Sequence, residues 1–244
     1  LPTYILGLYP AEERWRPYLW ITLLLILVIL TINKKLSLHI KDFLKPMWIA
    51  LIPLGLILLA GGIGLDPIES RKWGGLILTL ILTIFSAIIA LPLGIILSFG
   101  RQSNLRLIRL SCANYIDMMR SFPLITVLFF GQLFIPLFLP MDVEVNRVLR
   151  AVIAFSLFTS AYVAEDLRGG LQSIPKTQKE ASAVLGLNER QTMLIIILPQ
   201  ALRTALPSLT NQAVGLLQNT SLMAILGLVE LMGVGKSLLA NPEF

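Results

Sequence analysis

From Trp73 to Gly100 the chain carries no charged side chain, and apart from a few Thr and Ser and one Pro the stretch is aliphatic, aromatic or Gly. About 20 apolar residues cross the hydrocarbon core of a bilayer as a helix. A run this long therefore dictates a membrane span, and the same reading extends to the other apolar runs. These are Leu19–Ile32, Met47–Leu65, Pro123–Pro140, Arg147 to about Leu171, and Leu194–Met232. The runs are continuous, whereas barrel strands alternate apolar and polar residues, so a β-barrel is disfavoured. Only 14% of the residues are charged, against about 25% in an average soluble domain. The expected fold class is all-α, a polytopic transmembrane helix bundle.

The segments between the runs carry the topology. Trp15, Tyr18 and Trp20 lead into the first run as an aromatic belt. Lys34, Lys35, Lys41 and Lys45 mark 33–45 as a basic loop, while the 66–72 loop is charge-balanced. Pro92 is an expected kink in the third span. Arg101, Arg106 and Arg109 open a segment with helical periodicity at Leu105, Ile108, Cys112, Tyr115, Ile116 and Met119, part of which is expected to join the fourth span. The 141–146 loop carries Asp142 and Glu144, and Pro199, Pro207 and Gly215 are expected to break the last apolar segment. Lys and Arg collect in 33–45, 101–109 and the stretch after Gly170, but not in 66–72 or 141–146. The positive-inside rule then puts the first group in the cytoplasm and residues 1–17 outside it.

That distribution also explains the net charge of +6, so no nucleic-acid partner is called for. Cys112 is the single cysteine and His39 the single histidine. An internal disulfide is impossible, and no cluster exists for a transition metal. The chain begins at Leu1 without a visible signal peptide and stops at Phe244, and both ends read as cuts in a longer protein.

One polar segment interrupts the apolar pattern. From Thr177 to Pro199 the residues run TQKEASAVLGLNERQTMLIIILP. Thr177-x-x-Glu180 has the form of a capping box, Gly186 supplies a helix stop, and Asn188-x-x-Gln191 has the form of a second box. The residues predict helix, Gly turn, helix: a charged elbow where a soluble partner would push, or a plain surface hairpin.

The longer pattern Glu180-Ala181-Ser182, Gly186, Ile196-x-Leu198-Pro199 resembles the "EAA" motif of ABC importer permeases, with Ser182 in place of the second Ala. Asp117-Met-Met-Arg120-Ser-Phe-Pro123-Leu resembles that family's E-x-x-R-G-x-P-L, with Asp for Glu and Ser for Gly. Ala161-Tyr-Val-Ala-Glu165-Asp-Leu-Arg168-Gly-Gly170 resembles A-Y-x-A-E-x-x-R-G-G. Leu198-Pro-Gln-Ala-Leu-Arg203 and Thr220-Ser221-Leu222 match as well. Together they resemble the polar amino-acid uptake subfamily of type I ABC importers. The leading G-L-Y-P and W-R segment resembles its longer general or neutral amino-acid permeases.

The resemblance implies the following. Residues 1–72 hold an extracytoplasmic segment and two accessory spans. Residues 73–244 hold the importer core, with its C-terminal helix missing. The chain is a permease subunit in a bacterial inner membrane. It is coupled through the 177–199 elbow (Thr177, Lys179, Glu180, Ala181, Ser182, Gly186) to a cytoplasmic ATP-binding subunit. A second permease subunit, identical or homologous, completes the path, and an extracytoplasmic amino-acid-binding protein delivers cargo. ATP and magnesium belong to the partner. The chain itself has no phosphate loop, no nucleophile–base pair and no cofactor site.

The expected substrate path is Arg120, Glu165, Asn219, Thr220 and Ser221. Arg120 reads as a carboxylate ligand or as the i,i+3 partner of Asp117. Glu165 reads as an ammonium acceptor or as the partner of Arg168. Gln218 to Ser221 reads as path lining or as interhelical hydrogen bonding. Gln218-Asn219 replaces a Lys-Asp pair common in the family, so neutral cargo is expected over strongly cationic cargo. Another class also fits the intramembrane charges and broken helices: an ion-driven secondary transporter. A membrane enzyme is a weaker third.

Overall fold

The computed structural model describes residues 2–140 and 145–240, the side chains of 34–41 excepted. The regular elements are α1 (Pro2–Leu6), α2 (Trp15–Ile32), α3 (Lys34–Ala60), α4 (Gly75–Arg101), α5 (Arg106–Ser121), α6 (Leu124–Leu137), α7 (Arg147–Gln172), α8 (Lys176–Val184), α9 (Glu189–Gln191), α10 (Leu198–Asn219) and α11 (Leu231–Leu239). Among the described residues there is no strand, only isolated bridges such as Gly7–Trp73 and Gly75–Glu230. Five helical segments are long and apolar enough to cross a membrane. The pair α5–α6, bent by 108°, makes a sixth if counted as one broken span.

Several boundaries differ from the sequence expectations. The basic 33–45 stretch is not a loop: the chain turns at Asn33 alone and α3 starts at Lys34. No Gly or Pro occurs between Lys34 and Lys45, and Lys and Leu are good helix formers. The second span ends at Ala60, five residues short of Leu65, because Gly61, Gly62 and Gly64 all take positive φ. α10 runs on through Pro207 and Gly215, which were expected to break it, while Pro92 lies inside α4. Membrane helices tolerate such residues because neighbours re-satisfy the freed backbone groups. The final segment changes character later, where Thr220–Leu226 tightens into a 3-10 helix. Pro199 is accommodated upstream, since Thr192–Ile197 widens into a π-helix. The wider turn relieves the clash of a proline ring with the preceding carbonyl. The loop acids Asp142 and Glu144, and the side chains of Lys34, Lys35, His39 and Lys41, lie outside the described residues.

The chain forms two compact units. The first comprises residues 1–79 and 227–244. Here α2 and α3 form an antiparallel hairpin, tied by Tyr9 Oη to Leu59 O (3.2 Å), Trp20 Nε1 to Leu51 O (3.2 Å) and Trp48 Nε1 to Thr31 Oγ1 (3.1 Å). Burial pushes the Tyr9 phenol up to about 12, so it stays a donor. Trp20 is therefore not in an aromatic belt. It lies two positions past Tyr18, on the far side of a 3.6-residue turn, and is buried where a Cβ on Gly55 would sit. Trp15 and Tyr18 are exposed, as a belt requires. In the same unit buried Glu230 caps α11, accepting from the backbone N–H groups of Met232 (2.9 Å) and Gly233 (2.8 Å).

The second unit, residues 80–226, is built around α7. Of the most apolar window of α7, 61% is buried, against 33% or less for the other four candidate spans. Its neighbours approach through small residues and backbone-directed hydroxyls. Ser86 Oγ donates to Val152 O (3.3 Å) and Tyr115 Oη to Leu157 O (2.8 Å). A Cβ on Gly131 would stand 2.7 Å from the Ala154 Cβ. α7 and α10 meet at Gly170, where a Cβ would stand 2.5 Å from the backbone oxygen of Ala201, whereas nothing lies within 4 Å of a Cβ on Gly169. The adjacent glycines therefore differ in kind. Gly170→Ala is expected to destabilise by about 1–3 kcal/mol through overpacking, and Gly169→Ala to be near neutral. Thermal stability of the solubilised protein measures both, and equal effects would contradict this packing.

Candidate functional site

The elbow forms as a helix, a Gly turn and a second helix start, but only one of its two expected capping boxes exists. Pro175, with φ −60° and ψ 143°, is the N-cap of α8, and no side chain caps it. Proline's fixed φ starts the helix two residues early, so Thr177 already lies inside the first turn and cannot cap it. Glu180 is accordingly exposed and has no partner among the described residues. At the other end Gly186 (φ 77°) sits in a Schellman motif. Its N–H donates to Ala183 O (3.0 Å), and that of Leu187 to Ser182 O (3.0 Å). The second box forms: Gln191 N–H donates to Asn188 Oδ1 (2.9 Å), and Asn188 N–H to Gln191 Oε1 (3.0 Å).

The elbow has an inner and an outer face. Ser182 is buried, its hydroxyl donating to Gln178 O (2.6 Å), and Gln200 of α10 donates to Gln178 Oε1 (3.1 Å). Thr177, Lys179, Glu180, Ala181 and Gly186 are exposed, and so are the apolar Val184 and Leu185, at 88% and 77%. A short helix seated on the bundle that offers charge and apolar surface together is suited to docking.

Arg120 and Glu165 come together in one cluster. Glu165 on α7 faces Arg101 of α4 (2.9 Å), Arg120 of α5 (3.3 Å) and Arg168, one turn on along α7 (2.8 Å). Asp117 pairs with Arg101 (3.0 Å). Both local pairings weighed from the sequence are thus resolved by packing. Glu165–Arg168 forms, whereas Arg120 turns from Asp117 towards α7. Glu165 is the best buried member, its side chain 13% exposed, so its charge is the hub of the cluster. The sequence named Arg101 as a loop cation and Asp117 as the local partner of Arg120, but did not place them in this cluster. Their signal was a charge at the end of an apolar run and an acid one turn before Arg120.

Above Tyr162 the same unit encloses a half-open cavity of about 270 Å³. Its lining is Leu124 of α6, Phe155, Phe158, Thr159 and Tyr162 of α7, and Gln212, Leu216 and Asn219 of α10. The Arg120 guanidinium lies 5.7 Å from the centre of the Tyr162 ring, linking cluster and cavity. Asn219 lines the cavity. Thr220 and Ser221 do not appear in its wall, and buried Thr220 donates to Leu217 O (2.7 Å). The sequence reading passed over Thr159, Tyr162 and Gln212. Gln212, Leu216 and Asn219 stand at helical spacing on one face of α10, a pattern visible in the sequence once its continuity is known.

The second unit thus combines a membrane-length helix bundle, a charged elbow and a cavity lined by both apolar and polar side chains. The chain belongs to the family of binding-protein-dependent transport system inner membrane components, whose pattern matches residues 90–239. It is 37% identical over 246 residues to the inner membrane amino-acid ABC transporter permease protein YhdY of Escherichia coli (strain K12), covering 99% of this chain and 66% of that protein. It is 38% identical over 168 residues to the glutamate/glutamine/aspartate/asparagine transport system permease protein BztC of Rhodobacter capsulatus, covering 69% of this chain and 39% of that one. The chain thus spans about two thirds of the length of the first relative and well under half of the second. A crystal structure described as an amino acid ABC transporter with histidines superposes with TM-score 0.56 at 28% identity, covering 64% of this chain and 71% of that one.

Proposed function

We propose that this chain is the membrane-spanning permease subunit of an ATP-driven amino-acid importer in a bacterial inner membrane. The observation that carries the reading is the elbow: a helix tied to α10 on its inner side, with Glu180, Lys179, Val184 and Leu185 facing outward and unused by the fold. The relatives, which are named as amino-acid permeases, supply the cargo class. An ion-driven carrier leaves that outer face without a purpose.

In this reading a cytoplasmic ATP-binding subunit docks on the elbow and supplies nucleotide and magnesium, while this chain hydrolyses nothing. Movement of α8 passes through the Gln178–Gln200 contact into α10 and so to the cavity. An extracytoplasmic binding protein delivers the amino acid, and a second permease subunit, identical or homologous, completes the assembly. Arg120, Glu165, Asn219, Thr220 and Ser221 belong to the path, with Arg120 offering a planar donor fork to the substrate carboxylate. The elbow lies in the cytoplasm.

Purification of the tagged chain from its native membrane is the test. A subunit with a phosphate-loop motif is expected to co-purify, and Glu180→Lys to reduce its recovery. Recovery without any ATPase, or wild-type recovery and uptake in the Glu180→Lys variant, would refute the docking role. Cysteine labels at Lys45 and Glu69 are expected to react from opposite faces of the membrane. Labelling from one face would refute the topology.

A further inference from the structure

α6 runs antiparallel to α7. Leu124 shares the cavity wall with Phe155 and Phe158, Gly131 abuts Ala154, and Gln132 Nε2 donates to Arg147 O (2.9 Å). α6 therefore follows the membrane normal with the spanning α7, and the 108° bend between α5 and α6 lays α5 close to the membrane plane. It lies at the elbow end of α7, where Ile116 packs on Ala161 and Ala164. The two flanks of α5 point to different depths. Tyr115 reaches back to Leu157 O (2.8 Å), away from the elbow, whereas Arg120 reaches Glu165 (3.3 Å), towards it. Arg106 and Arg109 precede Arg120 by fourteen and eleven residues, near whole numbers of 3.6-residue turns, so they share its elbow-side flank. Ile108, seven residues before Tyr115, shares the deeper flank.

The face of α5 turned away from α7 carries Leu107, Leu110 and Met118 at helical spacing, all exposed, Leu107 at 79%. Arg106 and Arg109 are exposed as well. Arg109 gives one donor to Ser103 O (3.2 Å), and neither arginine has an acidic partner among the described residues. No Asp or Glu occurs from Gln102 to Ile116, so this stretch offers a second copy of the chain no counter-charge. An apolar face with arginines on the flank nearer the bilayer surface is the arrangement of a helix lying in the headgroup–acyl boundary. Guanidinium groups match phosphate through paired hydrogen bonds, while their stems stay among apolar groups. We propose that α5 lies in that boundary on the elbow side of the bilayer and holds an anionic phospholipid. Leu107, Leu110 and Met118 enter the acyl layer, and Arg106 and Arg109 meet the lipid phosphate. A zwitterionic headgroup carries its own cation beside the phosphate, so a net negative one is preferred. The lipid steadies the helix from which Arg120 reaches α7. This placement needs only that α7 spans the membrane, and it stands apart from the cargo and the ATPase partner.

The test is contact quenching in the assembled complex, reconstituted in phosphatidylcholine bilayers, with a bimane label on Leu107→Cys in a Cys112→Ser background. Phosphatidylglycerol or phosphatidylcholine, each dibrominated on its acyl chains, replaces host lipid at equal mole fractions. The two titrations should give a relative affinity favouring the anionic lipid by about fivefold or more, the factor expected of a single arginine near a charged headgroup. Arg106→Gln combined with Arg109→Gln should bring the ratio close to one, while Arg106→Lys combined with Arg109→Lys should keep part of it. Salt at about 1 M, where the screening length is about 3 Å, should lower the ratio with the native arginines in place. That measurement carries the test if the glutamine pair does not assemble. Absence of quenching by either lipid would mean that protein, such as a second permease subunit, covers this face, and overturns the proposal. Equal quenching by both lipids with the arginines present, or a preference that survives the glutamine pair or the salt, overturns it too.

Discussion

Glu165→Gln is expected to be the most damaging single change in this chain. It keeps the shape of the side chain but removes the charge that Arg101, Arg120 and Arg168 share. Asp117, the other acid that forms an ion pair in the cluster among the described residues, is more than half exposed and pairs with Arg101. Three guanidiniums would then face each other with little compensation at a site where Glu165 is 13% exposed. Breaking one partner out of a buried ion pair costs about 3–5 kcal/mol, because the charge left behind is uncompensated. The temperature at which half of the solubilised complex stays monodisperse should fall by several degrees, and uptake should be lost. Removing part of the excess charge should help, so Arg101→Gln in the Glu165→Gln background is expected to regain stability. A single variant as stable as the parent, or a double variant worse than the single, would show that the cluster is too well solvated to matter.

Gly186→Val is the second large effect, and its cause is backbone alone. Nothing lies within 4 Å of a Cβ at this position, so no clash is introduced. The φ of 77° is the difficulty. A residue with a Cβ in the left-handed region costs roughly 1–2 kcal/mol, and β-branching makes it worse. The Schellman bonds from Gly186 and Leu187 hold the angle between α8 and the chain leading to α10. Losing them lets the elbow rotate without moving the bundle. Reconstituted complexes should keep basal ATP hydrolysis while uptake falls by about tenfold or more. Gly186→Asn is the control, since Asn tolerates this conformation at helix ends. It should retain most of the uptake. Equal loss in both variants would mean that the position acts through contact with a partner and not through its φ.

The sequence alone determined the elements that rest on short-range physics. Unbroken apolar runs such as Trp73–Gly100 have no stable alternative to a helix in lipid, because every backbone group must be satisfied within the segment. The Gly186 stop and the Asn188–Gln191 box are also local, each closed by residues within a few positions of one another. Local rules misled where a proline competed with them. Pro175 took the cap from Thr177, while Pro207, expected to break the last segment, was absorbed within α10.

What tertiary structure decided is which polar groups meet. Arg120 and Asp117 lie three residues apart on α5, yet Arg120 turns to Glu165, because the packing of α5 on α7 puts a better-buried carboxylate within reach. Arg101 ends one helix and Asp117 lies within another, and only the crossing of α4 and α5 makes them a pair. The cavity gathers residues from α6, α7 and α10 that sequence order keeps far apart, with Gln212 and Tyr162 among them. Spacing along a helix assigns a residue to a face. Which face of another helix lies opposite is set by the small residues at the crossings, Gly131 against Ala154 and Gly170 against Ala201. That choice depends on the volumes of both partners at once, and no single segment contains both.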